Sequence, residues 1–361
     1  MGSKIESSKR INKLFQTKNN CDIGNIKSKY IIQLLFQYLQ KKRSLEIIKY
    51  NKRTQLKLDI NIDNYKKFSQ EYSTIEIELL TIKNKNGIFF NYLNKDVKSY
   101  YHIYFDNNEK EEIQRNYINE KEKVKKIKII IDNKIKSFNN LFKDCMCIKS
   151  ISFNKFIRNN IDDMSGMFFN NNQLKEINFY NFDTSNVTSM STMFNSCSSL
   201  QKLDLSNFNT NKVIKMSNMF NGCLSLNELN LSNFNTRNVK EMNDMFCNCK
   251  SLIKLNLSNF TNDNVMYMNN LFFGCNSLNE IVLSNFGTNN VIQMSYMFSG
   301  CSSLKEINLS NFKTSKLVNM KAMFFGCSSL NELNLSNFNT HFVMDLSYMF
   351  SGCSTLKELD L

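Results

Sequence analysis

One spacing constrains this chain more than any other feature of it. Cys197, Cys223, Cys249, Cys275, Cys301, Cys327 and Cys353 stand 26 residues apart without one insertion. Cys145 falls on the same lattice, and Asn171 holds the one turn that lacks the thiol. A fixed period of about 20–50 residues marks a repeat architecture, and the leucine-rich range is about 20–29. A chain of this kind grows by adding turns that touch only their neighbours, so 361 residues need not mean several globular cores.

Each unit reads physically. In the stretch Leu200 to Phe220, Leu203 and Leu205 alternate with Lys202 and Asp204, as a strand with one buried face requires. Asn207 and Phe208 turn the chain, and Thr210 is placed to cap the next segment. Val213, Met216, Met219 and Phe220 are spaced 3, 3 and 1, which predicts one face of a short helix. Cys223 returns the chain to the next strand. The predicted fold class is therefore α/β: a leucine-rich repeat solenoid with parallel strands on the concave side and short helices on the convex side. A small α+β module precedes it.

Three segments follow in chain order. Residues 1–25 are polar and read as an arm. Residues 26–123 read as the α+β module, with a helical hairpin at 26–57 and a β-meander at 74–105. Its strands are expected at Thr74–Thr81, Ile88–Leu93 and Tyr100–Phe105, which are rich in β-branched and aromatic residues. The array occupies 124–361, opening with the strand-forming Val124–Ile131 and a pair of degenerate units. Ile135, Phe138, Leu141, Phe142 and Cys145 already stand where later units place Val, Met, Met, Phe and Cys.

Charge separates these segments. The net charge is +14, of which residues 1–134 carry +12 and residues 135–361 only +2. The basic character belongs to the front of the chain, but no block of five like charges marks it as a nucleic-acid tail. Nucleic acid is not an expected partner. No apolar leader opens the chain and no apolar run approaches the about 20 residues of a membrane span, so a cytoplasmic protein is expected.

Catalysis is not expected either. The chain has only two histidines, no Gly-rich phosphate loop and no nucleophile–base pair. His102 lies in an alternating aromatic strand and reads as a packed or surface imidazole. The cysteine column reads as small buried residues, since CxxC pairs with nearby His are missing. The methionine column reads as core. No metal, cofactor or small-molecule substrate is expected.

The strand face is more informative. Its first outward column holds Glu176, Lys202, Glu228, Lys254, Glu280, Glu306, Glu332 and Glu358. Two places on stand Asn178, Asp204, Asn230, Asn256, Val282, Asn308, Asn334 and Asp360. Together these columns carry eight acids against two lysines, a net −6. Like charges facing one another across rungs repel. The candidate partner-binding residues are therefore Glu176, Glu228, Glu280, Glu306, Glu332, Glu358, Asp204 and Asp360, and the expected partner is a basic protein segment.

The unit Phe-x-x-Cys-x-Ser-Leu-x-x-Leu-x-Leu-Ser-Asn-Phe-x-Thr-x-x-Val-x-x-Met-x-x-Met-Phe resembles the BspA-like class of leucine-rich repeats. It recurs at 187–212, 213–238, 239–264, 265–290, 291–316 and 317–342. The resemblance implies a protein-interaction scaffold, with surface adhesion as in bacterial members as an alternative. A second, shorter resemblance joins it. The run IIQLLFQYLQKKRSLEIIKYNKRTQ is similar to the start of an F-box, without the opening Pro, and implies a ubiquitin-ligase adaptor acting through 26–57. The sequence stops at Leu361, directly after LKELDL and inside a repeat. An uncapped strand edge invites pairing, so the expectation is end-to-end self-association or a sequence cut short.

Overall fold

The computed structural model describes Leu56 and residues 74–360 apart from Asn133 and 157–159. The architecture concerns the unit Thr74–Leu361. The expected arm at 1–25 and the helical hairpin at 26–57 lie outside the described residues, Leu56 aside.

The repeat array is a right-angled stack of turns, each hydrogen-bonded to the next. Short strands recur once per turn: β7 (Glu176–Asn178), β8 (Lys202–Asp204), β9 (Glu228–Asn230), β10 (Lys254–Asn256), β11 (Glu280–Val282), β12 (Glu332–Asn334) and β13 (Glu358–Asp360). Their registers set identical repeat positions side by side, as in Lys202 against Glu228 and Leu203 against Leu229. Leu203, Leu255 and Leu333 are buried between exposed neighbours, so the expected alternation holds.

A second parallel ladder runs through the segment expected to be helical. Single bridges link Ser137, Asp163, Ser189, Lys215, Glu241, Tyr267, Gln293, Asn319 and Asp345 in one unbroken line. Around it, backbone N–H groups donate to carbonyls one turn on: Asn218 to Asn243 at 2.8 Å, Phe220 to Met245 at 2.8 Å and Gly222 to Cys247 at 2.8 Å. Every alternate N–H thus points to the next turn. Those between them close tight turns within the unit, as Met219 does to Met216 at 3.3 Å and Cys223 to Phe220 at 3.1 Å.

The short convex helices are therefore corrected to β-solenoid turns, and among the described residues of the array no helix forms. The physical reason lies in two backbone positions. An α-helix needs consecutive right-handed residues donating four places back. Here Asn218 has φ 59° and Gly222 has φ 73°, and the same two positions are left-handed in every turn from Asn140 and Asp144 onward. Left-handed backbone favours Gly and Asn over other residues. Two successive turns bring Met216, Met219, Phe220 and Cys223 inward, which accounts for the same 3, 3 and 1 spacing without a helix.

Aromatic columns fill the interior. Phe194, Phe220, Phe246, Phe272, Phe298 and Phe324 stack face to face at 5.3–5.7 Å between centroids. A second column follows the strands, with Phe234 against Phe260 at 6.3 Å and Phe286 against Phe312 at 5.8 Å. Offset aromatic pairs in this range add about 0.5–1.5 kcal/mol each beyond their buried area.

The array's first end is closed by a mixed sheet. Its strands are β1 (Ile75–Thr81), β3 (Tyr101–Phe105), β5 (Lys126–Ile131) and β6 (Ile148–Phe156), in the order β3-β5-β1-β6-β7. Two-residue strands β2 (Gly87–Ile88) and β4 (Tyr117–Ile118) pair beside it. The expected meander over 74–105 is thus corrected. Consecutive strands do not pair, because β5 enters between β3 and β1, and β1 pairs with β6 on its other side. β6 then pairs in parallel with β7 and passes the sheet into the array. Ile75, Ile77 and Leu79 face the core, while Glu78 meets Lys126 at 2.7 Å and Glu76 meets Lys155 at 3.4 Å on the outer face.

Candidate functional site

Three side-chain ladders tie the turns together, and only one of them is exposed. The first is the cysteine column. Each thiol is buried and donates to the Phe carbonyl 29 residues earlier: Cys197 to Phe168 at 3.1 Å, Cys223 to Phe194 at 3.1 Å and Cys275 to Phe246 at 3.1 Å. Asn171, on the same lattice, donates its Nδ2 to Phe142 at 2.7 Å and so makes the same bond. The cysteines are free, and burial pushes the Cys223, Cys275 and Cys327 thiols up to about 12. Such groups are neither nucleophiles nor thiolate ligands near neutral pH. Among the described residues no group of three or more His, Cys, Asp or Glu is placed to hold a metal ion.

The second is the threonine column. Thr210 Oγ1 donates to the Asn235 carbonyl at 2.9 Å and accepts from the Asn235 N–H at 2.7 Å. Thr184, Thr288 and Thr314 repeat both bonds. The residue expected to cap the next segment instead staples one turn to the following one. One unit departs: Thr261 and Asn262 exchange the usual order, and Asn262 sits fully buried with neither amide atom bonded.

The third ladder is the acidic strand face. Glu176, Glu228, Glu280, Glu332 and Glu358 begin β7, β9, β11, β12 and β13, and Asp204 and Asp360 end β8 and β13. Glu306 stands at the same repeat position. All are exposed. The face is not uniform. Lys202 meets Glu228 at 2.5 Å and Lys254 meets Glu280 at 2.5 Å, so the middle rungs are neutralised in pairs. The Ser206 backbone N–H donates to Asp204 and holds its carboxyl below the usual carboxylate range.

Beyond Glu280 no lysine occupies the outward columns. Glu306, Glu332, Glu358 and Asp360 form no ion pair within 4.0 Å among the described residues, and Asp360 accepts only from Asn334 Nδ2 at 2.9 Å. A groove of about 1150 Å³ opens here, spanning Asn279 to Asp360. Its floor is apolar, with Ile281, Ile307, Leu333 and Leu359, and Lys357 stands on its rim.

Strand pairing changes at the same place. The strands pair as β6–β7, β8–β9, β10–β11 and β12–β13, while Glu306–Asn308 joins neither β11 nor β12. No backbone hydrogen bond reaches these three residues from the adjacent rungs. Ile307 in this open rung and Ile281 beside it are half-exposed, whereas Leu203 and Leu255 are buried.

His102 is not isolated. Its Nδ1 lies 3.2 Å from Glu112 and its Nε2 lies 3.6 Å from Asp132. The two carboxylates sit on opposite ring nitrogens, which orients the imidazole and does not make a chelate.

Two interlocking ladders, one at the LxL strand and one at the turns, define a leucine-rich-repeat type of β-solenoid. The chain belongs to the family described as "Mycoplasma protein of unknown function, DUF285", which matches residues 136–255 and 249–360. Among solved structures it is similar to a leucine-rich repeat protein from Bacteroides ovatus ATCC 8483, at 17% identity and a TM-score of 0.38. That match covers 68% of this chain and 67% of the other. A TLR13–ssRNA13 complex matches at 18% identity and a TM-score of 0.21, over 59% of this chain and 32% of the other. No curated protein matches.

Proposed function

We propose that the chain is a non-enzymatic scaffold whose strand face binds a basic segment of another protein. The observation that carries this reading is the exposed double column with its net −6, held in fixed register by the backbone. Repeat arrays present extended binding surfaces of this kind. Opposite charge on a partner relieves the repulsion among stacked carboxylates and steers its encounter. The buried thiols, the methionines and the stapling threonines are all consumed by the structure, which leaves this face as the repeated chemistry open to a partner.

The test is capture of partners by tagged full-length protein from its native cells, with and without Glu228, Glu280, Glu306 and Glu332 changed to Lys. The expected result is a small set of basic proteins that disappears with the reversal. An unchanged set would sink the strand-face reading.

A further inference from the structure

The strand face is not equally available along its length, and its unevenness locates the contact. The rungs from Lys202 to Val282 carry a net −1, and their lysines are already paired with Glu228 and Glu280. The rungs from Glu306 to Asp360 carry a net −4 with no ion pair among the described residues. The groove, the half-exposed Ile281 and Ile307, and the one rung that pairs with neither neighbour coincide with this second stretch.

We infer that the groove over Glu306, Glu332 and Glu358 is the docking site for an extended segment in which Lys or Arg alternates with apolar residues. This rests on the strand-face reading above and narrows it to one stretch and one partner chemistry. The reasoning has three independent parts. The first is charge: three carboxylates repeat at the same position on successive turns, about 4.8 Å apart, with no cation of their own. Docking there costs no existing ion pair, whereas a cation approaching Glu228 or Glu280 must displace Lys202 or Lys254.

The second part is the floor. A row of Ile281, Ile307 and Leu359 between acidic walls matches a strand whose successive side chains point to opposite faces. A purely cationic segment leaves this floor wet. The third part is the backbone. The peptide groups of Glu306–Asn308 are not engaged by β11 or β12 and are available to bond a partner's main chain. Sheet-edge recognition works by this division, with main-chain bonds giving affinity and alternate side-chain pockets giving selection. From Glu280 to Glu358 the groove runs about 14 Å along the stack, which an extended segment of roughly five residues spans.

The experiment uses the full chain and a synthetic peptide of alternating Lys and Val, with an all-Lys peptide of equal length beside it. Binding is read by fluorescence anisotropy at low and high salt. In the wild-type chain the Lys–Val peptide is expected to bind more tightly than the all-Lys peptide, and more weakly as salt rises. The triple variant E306Q/E332Q/E358Q preserves side-chain shape and removes mutual repulsion, so it retains the fold. It is expected to lose about tenfold or more in affinity, and E176Q/D204N/E228Q about twofold or less. Equal losses in both variants overturn the localisation while leaving the strand-face reading intact. No loss in either overturns both. An all-Lys peptide that binds as well as the Lys–Val peptide overturns the role of the apolar floor.

Discussion

Removing the threonine hydroxyl at three positions gives a graded test of what holds the turns together. Thr210 makes two hydrogen bonds to the next turn, both to Asn235. Thr236 makes one, accepting from the Asn262 N–H at 3.2 Å, because the exchanged Thr261–Asn262 order has displaced the usual carbonyl. Thr340 is exposed and its side chain makes none. Val has nearly the shape of Thr, so Thr→Val isolates the hydroxyl. At a net value of about 1 kcal/mol per hydrogen bond, T210V should cost about 2 kcal/mol, T236V about 1 and T340V about 0. Urea unfolding measures the series. Hydrogen exchange at the Asn235 amide gives the local counterpart, since stability in a repeat array is set by neighbouring turns. A T236V variant as costly as T210V, or a T340V variant costing more than about 1 kcal/mol, would refute the staple as the source of the effect.

Two further outcomes follow from the buried column. Burial raises the folded-state Cys223, Cys275 and Cys327 pKa values to about 12, while unfolded thiols titrate near 8.5. The folded state therefore holds protons that the unfolded state releases. The associated stability is complete below about pH 8.5 and is lost as pH climbs from there towards the folded values, at about 1.4 kcal/mol per pH unit for each thiol. Urea unfolding at pH 8 and pH 10 should show this fall, and C223A/C275A/C327A should flatten it; identical slopes would contradict the assignment. At the lattice position without a thiol, Asn171 keeps the donor to Phe142 but buries an unbonded Oδ1. N171C retains the donor and removes the orphan, so it should stabilise by about 1 kcal/mol or more. A Cys variant that melts below the wild type in calorimetry would show that the lattice position is not equivalent.

How much of this was legible in the residues varies with what fixes each feature. The period, the buried Leu203 and Leu205 and the exposed acidic columns follow from side-chain alternation alone, which a one-residue slip would destroy. The turn segment misled because Met216, Met219 and Phe220 satisfy two geometries with one spacing. The deciding signal was present four residues apart, in Asn218 and Gly222 and their counterparts Asn270 and Gly274. Left-handed residues at that interval forbid a continuous helix. The staple was half legible, since Thr210 recurs every turn but its partner lies 25 residues on. The open rung at Glu306–Asn308 was not legible: its residues Glu, Ile and Asn differ little from the paired Glu332–Asn334. The closing sheet was misjudged because β1 finds its partners at residues 126–131 and 148–156, and long-range pairing leaves little trace in local composition.

The second ladder has a consequence for how such a chain can vary. Every turn is registered to the next at many backbone atoms, from the bridge at Lys215 to the N–H of Gly222. One inserted residue would set Phe against Cys in the interior columns and move left-handed sites onto residues that resist them. Length in this family of shapes is therefore a counted quantity. Whole turns can be copied or dropped with each interface preserved, while fractions of a turn have no place to go. Point changes are confined to the outward positions, where a Lys for a Glu alters what the surface greets without altering how the stack is built.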